Sequence, residues 1–518
     1  MSAVMSQKLS TATRREFLRR AGALVGMTAP GALPLATLLA ASGQAAAQTA
    51  GDYKALVCVF LNGGNDSFNT VLATDAPAWA AYQGVRNQVP DSIALLAAGT
   101  LPDASAAAGS PARLGGVLPL TLAGRSLAVH PLLGGLANNF NISKRLAVLA
   151  NVGPLVQPTS KAQYASIGHP KPAKLFSHND QQNLWQALSP EGARSGWGGR
   201  MADRLMSDNS RAMFTAISAS GASVWLAGQT ARQYQVSTNG AIRIGSGNSL
   251  FGSTAGFAAM QQIMRNSRGT HVLEHDHADV VARSVDAEVQ LSSALPAASD
   301  GAWGTAPSTG SYNADTDPLL RYTSAITGNA TTNPLARQLQ MVARCIAARG
   351  TLGMKRQVFF VNLGGFDTHD NQNRNHADLM ARLDHGLSYF DRTLVSMGAA
   401  PLVTTFTASD FGRTFTSNGD GTDHGWGSHQ FVMGGAVRSG LYGDWPTLGA
   451  KNSANNDFDS STDQLRNGAL LPTTSVEQMG ATLARWMGVS DSQALEIFPN
   501  LANFDVSKRH LGFLSAPA

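Results

Sequence analysis

Three stretches of the chain set an acid just behind an apolar run, and two of them have histidine nearby. The fullest is QVFFVNLGGFDTHD, residues 357–370. Val358, Phe359, Phe360 and Val361 read as a buried strand. Gly364 and Gly365 follow, then Asp367 and His369, with Asp370 beside them. The plan recurs at Gly63-Gly64-Asn65-Asp66 behind ALVCVFL, and at Ala408-Ser409-Asp410 behind PLVTTF. A Gly-rich loop, Gly421-Thr422-Asp423-His424-Gly425-Trp426-Gly427, adds His424, with His429 soon after. A single Asp and Gly behind a strand is ordinary turn chemistry; three such endings form a set. Carboxylates gathered at one place repel unless a cation joins them. Imidazole beside them favours zinc, manganese or iron over a calcium site built from oxygen alone. Asp66, Asp367, His369, Asp410 and His424 are therefore the metal-ligand candidates.

These residues can meet only if the strands before them run in parallel. Apolar runs at residues 55–61, 146–152, 358–361 and 401–406 read as buried strands. Leu335, Leu339, Val342 and Ile346 fall at helical spacing, with Gly350 as the expected C-cap. Leu379, Leu383, Leu387, Phe390 and Leu394 mark a long amphipathic helix closed by Gly398. Strand, long helix and strand make a βαβ unit, hence an α/β fold with parallel strands and a right-handed crossover. In such sheets ligands bind at the carboxyl ends of the strands. A helix is expected over residues 181–188, and Thr474-Ser475-Val476-Glu477 reads as a capping box before the helix that holds Met479 and Met487. Residues 97–113 read as a surface excursion. Residues 200–335, rich in Gly, Ser, Thr and Ala around a charged helical segment, are expected to be an insertion or cap.

Hydrophobic residues make up 43% of the 518 and charged residues 14%, which suits a large core. Lys8, Arg14, Arg15, Arg19 and Arg20 against Glu16 put four of the five net positive charges in residues 1–48, so the rest is nearly neutral. No nucleic-acid partner follows from such a balance. Thr13-Arg14-Arg15-Glu16-Phe17-Leu18, a weakly apolar stretch and Ala45-Ala46-Ala47 resemble a twin-arginine (Tat) signal peptide over residues 1–48. The expectation is a periplasmic or secreted protein handled by the Tat export machinery, without a stable membrane anchor after cleavage. Cys58 and Cys345 lie in apolar segments and read as core thiols. His271, His275 and His277 read as a solvated helix face, and Trp197 as core. Arg413 can bind a substrate oxyanion or pair with a carboxylate of the cluster.

LNGGNDSFNT, GGFDTHDNQ and SDFGRT…GTDHGWG behind the twin-arginine leader resemble the bacterial family called domain of unknown function 1501. That family is placed with the alkaline phosphatase and sulfatase superfamily. The resemblance implies a doubly wound, mostly parallel sheet with two divalent metal ions (zinc, manganese or magnesium) at its carboxyl edge. Asp66, Asp367 with His369, Asp410 and His424 match the superfamily's ligands. Phe411 stands where a histidine is usual, so one expected ligand is missing unless Asp423 or His429 replaces it. A hydroxyl nucleophile is also implied, after the second strand at a helix start. Ser177 fits best, with Thr159 and Ser67 as rivals, and a helix N-terminus there would favour a bound anion. No Cys-x-Pro-x-Arg stretch occurs, which argues against formylglycine chemistry. The expected activity is metal-dependent hydrolysis of an anionic phosphate or sulfate ester. A non-catalytic metal- or glycan-binding envelope protein and an envelope phosphoryl-group transferase are the alternatives.

Overall fold

The strand Lys54–Asn62 (β1) has seven consecutive buried residues. Ala55, Val57, Val59 and Leu61 enter one core, and Leu56, Cys58 and Phe60 the other. A strand apolar on both faces belongs in the middle of a sheet covered on both sides. The computed structural model that shows this describes residues 52–243, 249–266 and 271–515. The leader expected over residues 1–48 lies outside the described residues.

Ten strands form the main sheet. In chain order they begin with β1, Leu146–Gly153 (β2), Ala216–Ser218 (β3), Tyr234–Ser237 (β4), Gly240–Ala241 (β5), Arg356–Gly364 (β6) and Val403–Ser409 (β7). Arg413–Ser417 (β8) and Thr422–His424 (β9) make a separate two-stranded ribbon. Ser428–Gly434 (β10), Gly440–Tyr442 (β11) and Thr474–Ser475 (β12) complete the sheet. Across it the order is β11-β2-β10-β7-β1-β6-β3-β4-β5, with β12 beside β2. β10 runs against β7 and β2, and β5 against β4; the other pairings are parallel. The fold is thus α/β with a mostly parallel sheet.

The helices used below are Ala76–Arg86 (α1), His178–Ala187 (α2), Trp197–Leu205 (α3), Thr254–Asn266 (α4), Val272–Ala294 (α5), Pro334–Ala347 (α6), Gln372–Ser396 (α7) and Val476–Met487 (α8). Leu339 and Ile346 of α6 and Leu383 and Phe390 of α7 fill the core on one face of the sheet. Met201 and Leu205 of α3 and Met479 and Leu483 of α8 fill the other. Each fully buried side chain of this size contributes about 1.5–3 kcal/mol. Trp197 belongs to this second core, 5.0 Å from Trp225 between ring centroids.

Several expectations shift in register. The helix α6 stops at Ala347; Gly350 lies inside a short turn, and Gly353, at φ 64°, supplies the left-handed cap. The capping box before α8 is formed by Ser475 with Gln478, one residue later than expected. β6 and β7 are parallel, as a βαβ unit requires, but β1 lies between them. Residues 200–335 are not wholly an insertion: β3, β4 and β5 come from this stretch and extend the main sheet, and α4 and α5 follow them.

Register brings the strand ends together. Asn62 is level with Gly364, and Leu61 with Ser409. Two glycines then let the loops touch. A Cβ on Gly63 (φ 113°) would lie 2.4 Å from the Asp367 nitrogen, and one on Gly64 (φ 83°) 2.3 Å from the Phe411 ring. Among the described residues no helix is long and apolar enough to cross a membrane.

Candidate metal centre

Asp367 is the hub of the carboxyl edge. Its Oδ1 lies 2.7 Å from Arg413 Nη1, 3.0 Å from His369 Nε2 and 3.4 Å from His424 Nε2. Its Oδ2 lies 3.3 Å from His178 Nε2. Ligand atoms of His178, Asp367 and His424 all fall within 4.8 Å of one another. The loop after β6 delivers Asp367 and His369, β9 delivers His424, and the first turn of α2 delivers His178.

Two of the three imidazoles facing Asp367, His178 and His424, are aimed from behind. His178 Nδ1 lies 2.9 Å from Asp410 Oδ2, and His424 Nδ1 lies 2.8 Å from the Phe176 carbonyl. A carboxylate and a carbonyl can only accept, so each Nδ1 carries the hydrogen, and when the ring is neutral its Nε2 offers a lone pair, that of His424 also lying 3.0 Å from His369 Nε2. Phe176 reaches His424 from a left-handed backbone, φ 70°, which is uncommon for an aromatic residue and marks a position held by its surroundings. The Phe411 ring packs on both histidines, with centroids 4.7 Å from His178 and 4.6 Å from His424.

Burial works to raise the Asp367 carboxyl, but the hydrogen bond and charge of Arg413 outweigh it and hold it below the usual carboxylate range. The hydrogen bond that His178 donates to Asp410 raises His178, against burial; burial lowers His424. Among the described residues buried His178 Nε2 and Asp410 Oδ1 have no hydrogen-bond partner, the contact of the former with Asp367 lacking hydrogen-bond geometry. Lone pairs facing a carboxylate are unfavourable unless a proton or a metal ion lies between them. The contacts of the imidazoles with Asp367, 3.0–3.4 Å, are close to the edge of a tetrahedron with bonds of 2.0–2.1 Å, about 3.3 Å, and the triad His178, Asp367 and His424 falls within 4.8 Å. Imidazole nitrogens with one carboxylate, each ring steadied through its far nitrogen, suit zinc, manganese or iron. The residues present therefore fit one ion.

They do not assemble the second site expected with Asp66. Asp66 is fully buried and ion-paired with Arg86, at 2.5 Å and 3.0 Å. Gln372 Nε2 donates to it at 2.6 Å, and the Phe68 N–H at 3.1 Å. The reason is local: Asp66 caps the short 3-10 helix Ser67–Asn69 and so turns towards α1 and its Arg86. Asp410 serves as the carboxylate behind His178. Beside Phe411 it is His178 of α2 that joins Asp367 and His424, and not His429. That ring is buried, accepts the Asn151 N–H at 3.0 Å and stacks on Trp445. Asp423 stands 3.4 Å from His369 Nδ1.

Of the two roles open to Arg413, the geometry gives the second. Its Nη1 pairs with Asp367, and its Nε and Nη2 donate to Thr422 Oγ1 and the Thr422 carbonyl. Ser177 is the N-cap residue of α2, and its Oγ donates to Asp180 Oδ2 at 2.9 Å. Thr159 bonds the Gln157 carbonyl and His169, and Ser67 is buried in the turn after β1. His271 caps α5 with its own ring, and His271 and His277 are exposed. An apolar cavity of about 580 Å³ between α4 and α5, lined by Phe257, Met264 and Val285 among others, holds none of the clustered groups.

The fold and the cluster define an α/β protein with a histidine–carboxylate centre at the carboxyl edge of its sheet. The family model described as Protein of unknown function (DUF1501) matches residues 53–498, and the chain belongs to that family. No curated protein matches it. One similar solved structure comes from the glycosaminoglycan metabolism of Bacteroides thetaiotaomicron, at 10% identity and TM-score 0.31, covering 86% of this chain and 74% of that one. Another is Ps i-CgsB in complex with k-i-k-neocarrahexaose, at 10% identity and TM-score 0.30, covering 88% and 77%. Likenesses of this strength carry no argument about the chemistry of the chain.

Proposed function

We propose that the cluster binds one divalent cation and that the protein hydrolyses an anionic ester, a phosphate or a sulfate, outside the cytoplasm. The observation that carries this reading is the paired arrangement of His178 and His424, each steadied at Nδ1 and each turning Nε2 on Asp367. A cation bound there would polarise a phosphoryl or sulfuryl oxygen and make water or a hydroxyl more acidic.

The chain's own groups do the rest. His178, His424 and Asp367 supply the donors, with His369 beside them, 3.0 Å from Asp367. Asp410 and the Phe176 carbonyl hold two rings in one tautomer. Arg413 keeps Asp367 ionised. Ser177 stands beside His178 at the start of α2, where the helix dipole favours an anion. To act as nucleophile its hydroxyl must leave Asp180.

Kinship with alkaline phosphatases and sulfatases, and export by the Tat route, are parts of the same proposal and rest on the motifs and the leader. The test is a screen of the metal-loaded mature protein against aryl phosphates, phosphodiesters and aryl sulfates. Turnover abolished by His178→Ala supports the reading. Turnover that also disappears in Ser177→Ala makes the serine the nucleophile; turnover that survives there leaves the role to water. Full metal loading without turnover of any ester favours a binding protein. The commitment of Arg413 to protein partners speaks for that second reading.

A further inference from the structure

We infer that Asp66, Arg86 and Gln372 form a buried positioning unit that holds Arg413 on Asp367. The inference rests on the reading of Asp367 as a donor of the cluster. It gives Asp66 a function other than the metal binding expected from its place behind β1.

The contacts form two arms from one carboxylate. In the first, Arg86 is fixed by Asp66 and donates through Nε to the Phe415 carbonyl at 3.0 Å and through Nη2 to the Thr414 carbonyl at 2.9 Å. These carbonyls belong to β8, the strand that begins with Arg413. In the second arm, Asp66 Oδ2 takes the Gln372 amide N–H at 2.6 Å. A carboxylate can only accept, so the NH₂ of Gln372 must face Asp66 and its Oε1 must face away. That oxygen accepts the hydroxyls of Thr422 at 2.7 Å and Thr368 at 3.2 Å. With its hydrogen given to Gln372, the Thr422 hydroxyl turns a lone pair to Arg413 Nε at 3.3 Å. Thr368 is the residue after Asp367, and its carbonyl also accepts the Thr422 N–H at 3.1 Å.

Each member has a fixed donor–acceptor sense, and the chain of bonds ends on the guanidinium that pairs with Asp367 at 2.7 Å. Asp66, Arg86, Gln372, Arg413 and Thr422 have no exposed surface. In so dry a place a change at one member reaches the next, because water cannot replace the lost partner. The predicted consequence is that residues which touch neither the cluster nor a substrate set the direction of Asp367.

The experiment compares Thr422→Val, Thr422→Ser and Gln372→Met with the wild type. Metal-free crystal structures report the Arg413–Asp367 contact, and competition with a chromophoric chelator reports the affinity for zinc alone. Expected are loss of the Arg413–Asp367 contact and at least tenfold weaker zinc binding in Thr422→Val and Gln372→Met, with both restored in Thr422→Ser. An intact contact in both variants overturns the inference, as does unchanged zinc affinity after Arg413 has moved. If the wild type itself binds no zinc, the metal reading fails, and the position of Arg413 alone decides the positioning role.

Discussion

At the scale of single residues, charge pairing decides which acids can take part in chemistry. Asp66 and Asp367 both follow a Gly-Gly turn, yet one is sealed against Arg86 and the other is 42% exposed among imidazoles. Removing Asp66 leaves a buried, unpaired guanidinium, so Asp66→Ala is expected to cost about 3–5 kcal/mol in denaturant unfolding. Glu477 offers a test of sign. It is buried, and burial pushes its carboxyl up to about 7, against hydrogen bonds from Asn500 and Leu501. A folded-state pKa above the unfolded value of about 4.3 means stability that is full below that value and lost as pH rises through 7. Between pH 5 and 8 the stability of Glu477→Gln relative to the wild type should therefore rise by about 2 kcal/mol, read from urea unfolding at both pH values. Asp367, His369, Asp410 and His424 were legible as a group because each follows an apolar run or sits in a Gly-rich loop. His178 was not, since its partner Asp410 lies far away in sequence. The sealing of Asp66 was equally hidden, because Arg86 comes from the end of a helix with no motif of its own.

At the scale of elements, the centre depends on loops that pack with no spare volume. Gly64 has a positive φ and sits against Phe411, which in turn backs His178 and His424. Gly64→Ala is expected to destabilise by about 2–4 kcal/mol, through backbone strain and overpacking together. Phe411→Leu should recover part of that loss in the double variant, and additive effects in a thermal-unfolding cycle would contradict the contact. Long periodic elements such as α6 and α7 were readable because burial on one face dictates their spacing. The end of α6 and the start of α8 shifted by a few residues, to Ala347 and to the Ser475–Gln478 box. Residues 200–335 misled because β3 to β5 are two to four residues long, too short to show a period.

At the scale of the whole molecule, register turns separate sequence endings into one centre. Parallel pairing of β1 with β6 and β7 places their ends level, so the parallel reading of the strands carried most of the route to the site. The sealing of Asp66 was beyond that reading, because it depends on where Arg86 points. Export is tested apart from chemistry: in Arg14→Lys/Arg15→Lys the precursor is expected to stay uncleaved in the cytoplasm, checked by cell fractionation. The central claim is one divalent ion held by His178, Asp367 and His424. Its most direct test is metal titration of the purified mature protein with zinc and manganese, followed by elemental analysis after gel filtration. The expected result is one ion per chain, lost in His178→Ala and in Asp367→Asn while both variants stay folded. Two ions per chain, none, or one that survives both substitutions would contradict it.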